Sequence, residues 1–503
     1  MLAGMGNGLF GMLRARWVAV WYAGFAVYAA GVALFSGLGQ DHWWGTWAAG
    51  GYAAAAAVLF AAPAGRRGTW ARRVAVGASL AGAVIAPTVW LMATAPATPD
   101  VAVVARSGVL LLHHGTPYLS AGQLARGGWL AYNPYLPVMA LFGLPGALGV
   151  PSDTRPWLIA ITFLVLYATF RVMRRAGDGA SQGGASQNGA SKGATAQSSV
   201  LGRAAFALGC PVMAFPLAMG ITDPPIIALT CLALALLTRG SASGKPASGK
   251  PASAQARYAT AAALVIGVDC AMKYTAWPAL AVIVIMVATR DGWRAALRFA
   301  VTAVAAAAAL VAALAPAAIW HPAAIVANTV AYPLGLTAAR SPAQSPLPGH
   351  LLAMLGPAGH FAALALLALA GLATALFLVI APPATPAAAA TRIALGLTAL
   401  FALSPATRWG YFTYPIALLA WAALSERKPR AALEPRAALE PRAGRPEGVA
   451  RQDTTIARSG QFAAALATDS SRLGGTSGTR TVPWPTSSSV NTSGHSSQQR
   501  AWP

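Results

Sequence analysis

Residues 358–380 read Ala-Gly-His-Phe-Ala-Ala-Leu-Ala-Leu-Leu-Ala-Leu-Ala-Gly-Leu-Ala-Thr-Ala-Leu-Phe-Leu-Val-Ile. The run carries no acidic or lysine/arginine side chain and no strict alternation of polar and apolar positions. A bilayer core about 30 Å thick is crossed by a helix of roughly 20 apolar residues, and this run has that length. Comparable runs, rich in Ala, Leu and Val, recur from Trp17 to Ala423. One or two such runs could be buried helices of a water-soluble domain. About a dozen, without the alternation of a barrel strand, predict an all-α polytopic membrane protein. The composition agrees: 503 residues, 56% hydrophobic and only 10% charged.

The net charge of +23 invites a nucleic-acid reading, but its distribution opposes it. Basic residues gather at the ends of apolar runs, at Arg14/Arg16, Arg66/Arg67/Arg72/Arg73, Arg171/Arg174/Arg175, Lys245/Lys250/Arg257, Arg290/Arg294/Arg298 and Arg427/Lys428/Arg430. That is the positive-inside pattern of a membrane protein, so no nucleic-acid partner is expected. Cys210, Cys231 and Cys270 all fall in apolar runs and read as small core residues, not as a disulfide or metal framework. No small-residue cleavage site follows Trp17–Phe35, so that segment reads as a retained span.

Placing every basic cluster in the cytoplasm gives spans near 17–37, 46–62, 74–95, 157–173, 201–219, 225–238, 258–272, 275–289, 299–319, 358–380, 393–405 and 411–424, with both termini inside. Tyr135–Val150 is apolar but is broken by Pro137 and Pro145. Counting it as a crossing would put Arg171–Arg175 outside, so it reads as a juxtamembrane or re-entrant helix of an outer segment, 96–156. The chain then divides into an N-terminal helix pair (1–73), a transmembrane module (74–424) and a cytoplasmic tail (425–503). The inner loops 177–199 and 241–256 and the tail are too poor in apolar residues to offset chain entropy, and are expected to be disordered.

Carboxylates are scarce. Asp41, Asp100, Asp153, Asp178, Asp223, Asp269 and Asp291 are the only acids before Glu426. Asp178 and Asp291 fall inside, beside arginines. Asp41 sits in a tight turn flanked by Trp43, Trp44 and Trp47, which read as interfacial anchors. Asp223 precedes Pro224-Pro225 and reads as a helix cap, with a substrate hydroxyl contact as the alternative. Asp269 lies four residues before Lys273, and an ion pair along one helix face is the simplest account of both. Asp100 follows Pro99 directly after a span. It too can be a helix N-cap, but it opens the long outer segment.

Downstream of Asp100 come Gly115-Thr116-Pro117-Tyr118, then Tyr132-Asn133-Pro134-Tyr135-Leu136-Pro137, then Asp153-Thr154-Arg155-Pro156-Trp157. Gly220–Pro225, Lys273-Tyr-Thr-Ala-Trp-Pro278 and Ser404-Pro-Ala-Thr-Arg-Trp-Gly-Tyr-Phe-Thr-Tyr-Pro415 follow. In order and sidedness, this arrangement over about residues 74–424 resembles the GT-C membrane glycosyltransferases. It is most similar to the bacterial integral-membrane mannosyltransferases and arabinofuranosyltransferases that use polyprenyl-phosphate sugars. The extra N-terminal helix pair, Asp269 and the long tail depart from that family's pattern.

The resemblance implies a GT-C-like bundle in the bacterial cytoplasmic membrane, with its active site facing outside and Asp100 as the catalytic base. It implies a polyprenyl-phosphate sugar as donor, mannose-like, and a lipid-linked or cell-wall glycan as acceptor. Such a reaction needs cations for the departing phosphate. Arg155 and Arg408, placed outside at headgroup depth, fit a bidentate phosphate contact, with Lys273 a weaker candidate; snorkelling to lipid headgroups is the alternative for each. Tyr118, Asn133, Tyr135, Asp153, Asp223 and Tyr411 are candidates for sugar or acceptor contacts, and His321 and His350 for a proton relay. The adjacent His113 and His114 point about 100° apart on a helix and do not chelate together readily. With the outward carboxylates dispersed over separate loops, no metal and no cofactor is expected. A secondary transporter, with Asp269 as its intramembrane carboxylate, and a non-catalytic envelope scaffold are the alternatives.

Overall fold

The fold is that of a computed structural model, which describes residues 2–62, 67–150, 153–180, 200–241, 252–320 and 322–426. The chain divides into two units, Met1–Leu433 and Glu434–Pro503, and the second lies outside the described residues. Most of the expected inner loops and nearly all of the tail lie outside them too. At the loop edges the backbone is helical: residues 177–180 continue one helix and 252–256 open another.

The described residues are helical, apart from turns and one isolated bridge between Gln344 and Thr407. In chain order come α1 (Leu2–Phe35), α2 (Gly39–Ala61), α3 (Arg67–Leu80), α4 (Ala86–Thr94), α5 (Pro99–His114) and α6 (Ala121–Gly127). Then come α7 (Leu144–Ala147), α8 (Arg155–Ala180), α9 (Val200–Leu208), α10 (Pro211–Met219), α11 (Asp223–Ser241), α12 (Ala252–Cys270) and α13 (Trp277–Asp291). The last are α14 (Trp293–Leu314), α15 (Pro316–Trp320), α16 (Pro322–Val326), α17 (Pro348–Ala353), α18 (Pro357–Ile380), α19 (Pro386–Leu403) and α20 (Thr413–Ser425).

Proline sets many of these starts. It stands in the first two positions of α5, α10, α13, α17, α18 and α19, where its missing N–H costs nothing. Pro87 shows the other side of the same chemistry. A π-turn over Ala81–Ile85 joins α3 to α4 just before it. Pro87 cannot donate to the carbonyl of Ala83 four residues back. The indole of Trp44 donates there instead, at 2.9 Å. Trp44 is accordingly fully buried, whereas Trp43 and Trp47 are exposed as interfacial anchors would be. Asp41 lies in the first turn of α2 and accepts from Ser36 Oγ at 2.9 Å, so the tight turn expected there is a helix start.

Among the described residues, two large apolar cores result, beside two small clusters around Tyr132 and Tyr118. One core gathers α1–α4 around Trp44, Tyr52 and Leu91 and includes Ala214, Ala218 and Met219 of α10. The other, larger, is built mainly from α8, α11–α14, α19 and α20.

Among the described residues, six helical stretches are long and apolar enough to cross a membrane: Trp17–Phe35, Trp70–Thr94, Arg155–Arg174, Trp293–Leu314, Pro357–Ile380 and Pro386–Leu403. The pair α9 and α10, bent by 61°, makes a seventh if taken as one broken span. The remaining expected spans are also helical, but α13 with 15 residues and α20 with 13 are short. At 1.5 Å per residue they reach only about 20 Å. The 23 residues of α2 suffice in length, but its run holds Gly45, Thr46, Gly50, Gly51 and Tyr52 among the apolar residues.

The stretch Tyr135–Val150 is not one helix. It forms a 3₁₀ segment, Pro137–Phe142, followed by the single turn α7. Leu136 and Val138 donate their backbone N–H groups to the carbonyls of Met272 and Ala271, at 2.9 and 3.1 Å. Val138, Met139 and Ala140 are buried. Gly143 here crosses Gly108 of α5 so closely that a Cβ on Gly108 would lie 2.2 Å from the Gly143 carbonyl carbon. This crossing fixes α5, and with it Asp100, against the end of α12.

Candidate functional site

The N-terminus of α5 is capped by Thr98, not by Asp100. Thr98 Oγ1 accepts from the N–H of Val101 at 3.4 Å and donates to the carbonyl of Met219 at 2.9 Å. The carboxylate of Asp100, in the first turn, is therefore free to face inward, where the helix dipole favours a negative charge. Its Oδ1 accepts from the hydroxyl of Tyr135. Its Oδ2 accepts from Arg408 Nη1 at 3.3 Å. The pair is only partly covered, with 17% of the Asp100 side chain and 35% of the Arg408 side chain exposed.

Tyr135 is held from behind. Its N–H donates to Asn133 Oδ1 at 3.1 Å, and its carbonyl accepts from the hydroxyl of Tyr118 at 2.9 Å. Asn133 in turn donates to Ser107 Oγ and to the carbonyl of Pro117, and its N–H donates to Asn328 Oδ1. Tyr118 and Asn133 thus orient Tyr135 and do not line the cleft in front of it. Burial first, and then the charge of Asp100, push the Tyr135 hydroxyl well above the ordinary phenol range, so it stays a proton donor.

Arg408 enters from the far end of the chain. Its backbone is pinned: Thr407 N–H donates to Ala343, Ser345 N–H donates to Thr407, and Trp409 N–H donates to Ser345 Oγ. Burial pulls the guanidinium down, but Asp100 together with the neighbouring Tyr411 and Tyr135 more than offsets it, so Arg408 stands above its usual value and remains charged.

A second acid–cation pair lies alongside. Helix α12 ends at Cys270, and Lys273 is extended, with φ −156° and ψ 142°. Its ammonium approaches Asp223 Oδ1 at 2.5 Å. Tyr414 donates its hydroxyl to the same oxygen at 2.9 Å and lies 3.0 Å from Thr275 Oγ1. Lys273 Nζ also sits 5.6 Å over the Tyr135 ring and 5.3 Å over the Tyr411 ring, within cation–π range. Burial would lower Lys273, yet Asp223 and the neighbouring phenols hold it above the usual lysine range. Asp223 is delivered here by Gly220, whose φ of 75° turns the chain from α10 into α11. A Cβ at Gly220 would lie 2.2 Å from Val101 Cγ2 and 3.1 Å from Arg155 Cγ.

These groups border an open cleft. Asp100, Tyr135, Lys273, Arg408 and Tyr411 form one part of its lining, and Trp129, Tyr132, Tyr274 and Tyr332 another. Tyr132 and Tyr332 stack with centroids 4.6 Å apart and planes 10° off parallel. Arg106 holds the turn carrying Trp129 by donating to the carbonyls of Leu130 and Ala131. A carboxylate, two cations and aromatic walls suit a ligand that joins hydroxyl-bearing rings to an anionic group.

The structure therefore brings together Asp100, Tyr135, Lys273, Arg408 and Tyr411, with Asp223 behind Lys273. Others fall elsewhere. Arg155 is buried, 1% exposed, beside Asp153, with Nε 3.6 Å from Asp153 Oδ1. It lies behind Gly220 and is not part of the cleft lining. Asp153 accepts from the Arg155 N–H at 2.9 Å and likewise does not reach the cleft lining. The expected Asp269–Lys273 pair does not form. The helix ends between them, Lys273 turns to Asp223, and Asp269 accepts from Thr230 Oγ1 at 2.7 Å. Asp223 bonds side chains rather than serving only as a cap. His350 pairs its Nδ1 with the Pro405 carbonyl at 3.0 Å and is not in the cleft lining, and His321 lies outside the described residues. Among the described residues, no three His, Cys, Asp or Glu side chains gather as a metal site would require.

Sequence reasoning passed over Tyr414 and Thr275, which complete the Asp223 pair, and Trp129 and Tyr332, which line the cleft. Tyr414 and Tyr332 each precede a proline, as Trp277 does, and that repeated aromatic-proline step was the available signal. The chain matches no family profile, no curated protein and no solved structure.

Proposed function

We propose that the protein is a membrane glycosyltransferase of GT-C type that moves a sugar, mannose-like, from a polyprenyl-phosphate donor to a lipid-linked or cell-wall glycan acceptor. One observation carries this reading: Asp100 and Arg408, 308 residues apart in sequence, meet across an aromatic-lined cleft. In the proposed reaction the acceptor hydroxyl attacks the anomeric carbon and gives its proton to Asp100. The bond from that carbon to the phosphate oxygen breaks, and the lipid phosphate leaves with the electron pair. Arg408 meets the charge developing on the phosphate, and Lys273 adds positive potential from behind Tyr135 and Tyr411. Trp129 offers a face against which a sugar ring can stack.

The proposed setting is the bacterial cytoplasmic membrane, with the cleft facing outward, both termini inside and the shorter helices completing a bundle of about 12 crossings. The test is sugar transfer from a polyprenyl-phosphate donor in membranes. Asp100→Asn should lower transfer about 10²–10⁴-fold, the range for loss of a general base, at unchanged protein level. Full retained activity would end the proposal. The transporter alternative rests on Asp269, which is fully buried with one oxygen lacking a hydrogen-bond partner among the described residues. Solute flux in proteoliposomes that requires Asp269 and ignores Asp100 would replace the transferase reading.

A further inference from the structure

Both oxygens of Asp100 are already engaged, Oδ1 by Tyr135 and Oδ2 by Arg408. A base whose accepting oxygen is covered by a guanidinium is poorly placed to take a proton. We propose that Arg408 is an anion-operated latch on Asp100: a phosphate-bearing ligand entering the cleft draws the guanidinium away from Oδ2, so that ligand binding and exposure of the carboxylate are one event. The latch itself does not depend on what the anion carries, and it rests on the transferase reading only for naming that anion a prenyl phosphate.

Four features of the site support it. The latch contact is a single N–H···O at 3.3 Å, longer than the 2.7–2.9 Å of a good charge-assisted bond. It is partly exposed on both sides and therefore screened, so breaking it costs little. Arg408 Nε and Nη2 make no hydrogen bond to any described residue, leaving a fork that suits phosphate oxygens. The three backbone bonds around Thr407–Trp409 restrict the motion to the side chain. Asp100 itself stays in place when Arg408 leaves, since Thr98 caps its helix and Tyr135 keeps Oδ1. Lys273 cannot take this role, because it is buried and committed to Asp223.

A latch predicts competition, and competition is read by a double-mutant cycle. The full chain in nanodiscs, as wild type, Asp100→Asn, Arg408→Gln and the double variant, is titrated with farnesyl phosphate and separately with inorganic phosphate. Asp100→Asn frees the guanidinium and should tighten farnesyl phosphate about five- to twentyfold, within the range of coupled neighbours. In the Arg408→Gln background the same change should alter affinity less than about twofold. The same coupling with inorganic phosphate, at weaker affinity, supports the latch and assigns it to the phosphate alone. Coupling confined to farnesyl phosphate supports it and assigns the prenyl chain a part in reaching Arg408.

Equal tightening in both backgrounds overturns the latch, because Asp100 then merely repels the anion through space. Wild-type protein that binds neither ligand overturns it as well. If Arg408→Gln does not fold, Arg408→Met, which likewise removes the charge and the contact to Asp100, takes its place in the cycle. Coupling without any sugar transfer would leave the latch standing and the transferase reading lost. Transfer that needs Asp100 but shows no coupling would do the reverse.

Discussion

The pairs Asp100–Arg408 and Asp223–Lys273 join the same kinds of group and share the Tyr135 ring as a neighbour, yet they differ in solvent and in grip. The first is 3.3 Å long with 17% and 35% of its side chains exposed. The second is 2.5 Å long with 2% and 6% exposed, and Tyr414 fills a further acceptor site on Asp223. A partly wet pair gains little from its own attraction and can trade partners with a ligand. A buried pair cannot, because removing either member strands a charge away from water. Exposure, more than residue type, separates the pair open to a ligand from the pair sealed behind it.

That contrast can be broken in order of effect. The largest is the loss of the proposed transfer in Asp100→Asn, about 10²–10⁴-fold with the fold intact, because in the transferase reading the wet pair serves chemistry and not folding. Next is Lys273→Met, which strands Asp223 and should cost about 3–5 kcal/mol of stability. Thermal unfolding followed by labelling of the buried Cys231 and Cys270 reads that loss, since both thiols are covered in the folded protein. Adding Asp223→Leu to Lys273→Met should recover most of it, and failure to recover would show that the pair does more than neutralise itself.

Gly108→Ala should follow, at about 1–3 kcal/mol, because its Cβ has no room against Gly143. A melting temperature equal to wild type would remove the crossing as the anchor of α5. Tyr414→Phe should cost about 1 kcal/mol, one hydrogen bond of the buried pair. Arg340→Ala, at an exposed position, should stay within about 0.5 kcal/mol and leave transfer unchanged.

Much of this was legible beforehand. The apolar runs gave helices at nearly every expected place, and the scarcity of acids singled out Asp100. The breaks within the Tyr135–Val150 segment were legible from Pro137 and Pro145, but a helix was expected there, and neither its 3₁₀ form nor its insertion beside Met272 was legible. The pairing of the charges was misread. Spacing of four residues placed Asp269 with Lys273 only on the assumption that one helix runs through both. The chain leaves the helix at Cys270 and sends Lys273 to a partner 50 residues earlier. Arg155 looked as eligible as Arg408, and only burial beside Asp153 set it apart.

The sequence by itself determined that the chain is helical and apolar enough to cross a membrane several times, because both properties follow from local composition and from the thickness of a bilayer. It also limited carboxylate chemistry to a few positions, because a side chain that is absent cannot act. Which of those carboxylates faces a cation, and which is merely buried, was decided by tertiary structure alone. Asp100 and Arg408 are joined by no local rule. Their meeting depends on the Gly108–Gly143 crossing, on the cap at Thr98 and on the backbone bonds that hold Thr407, contacts between segments far apart in the chain.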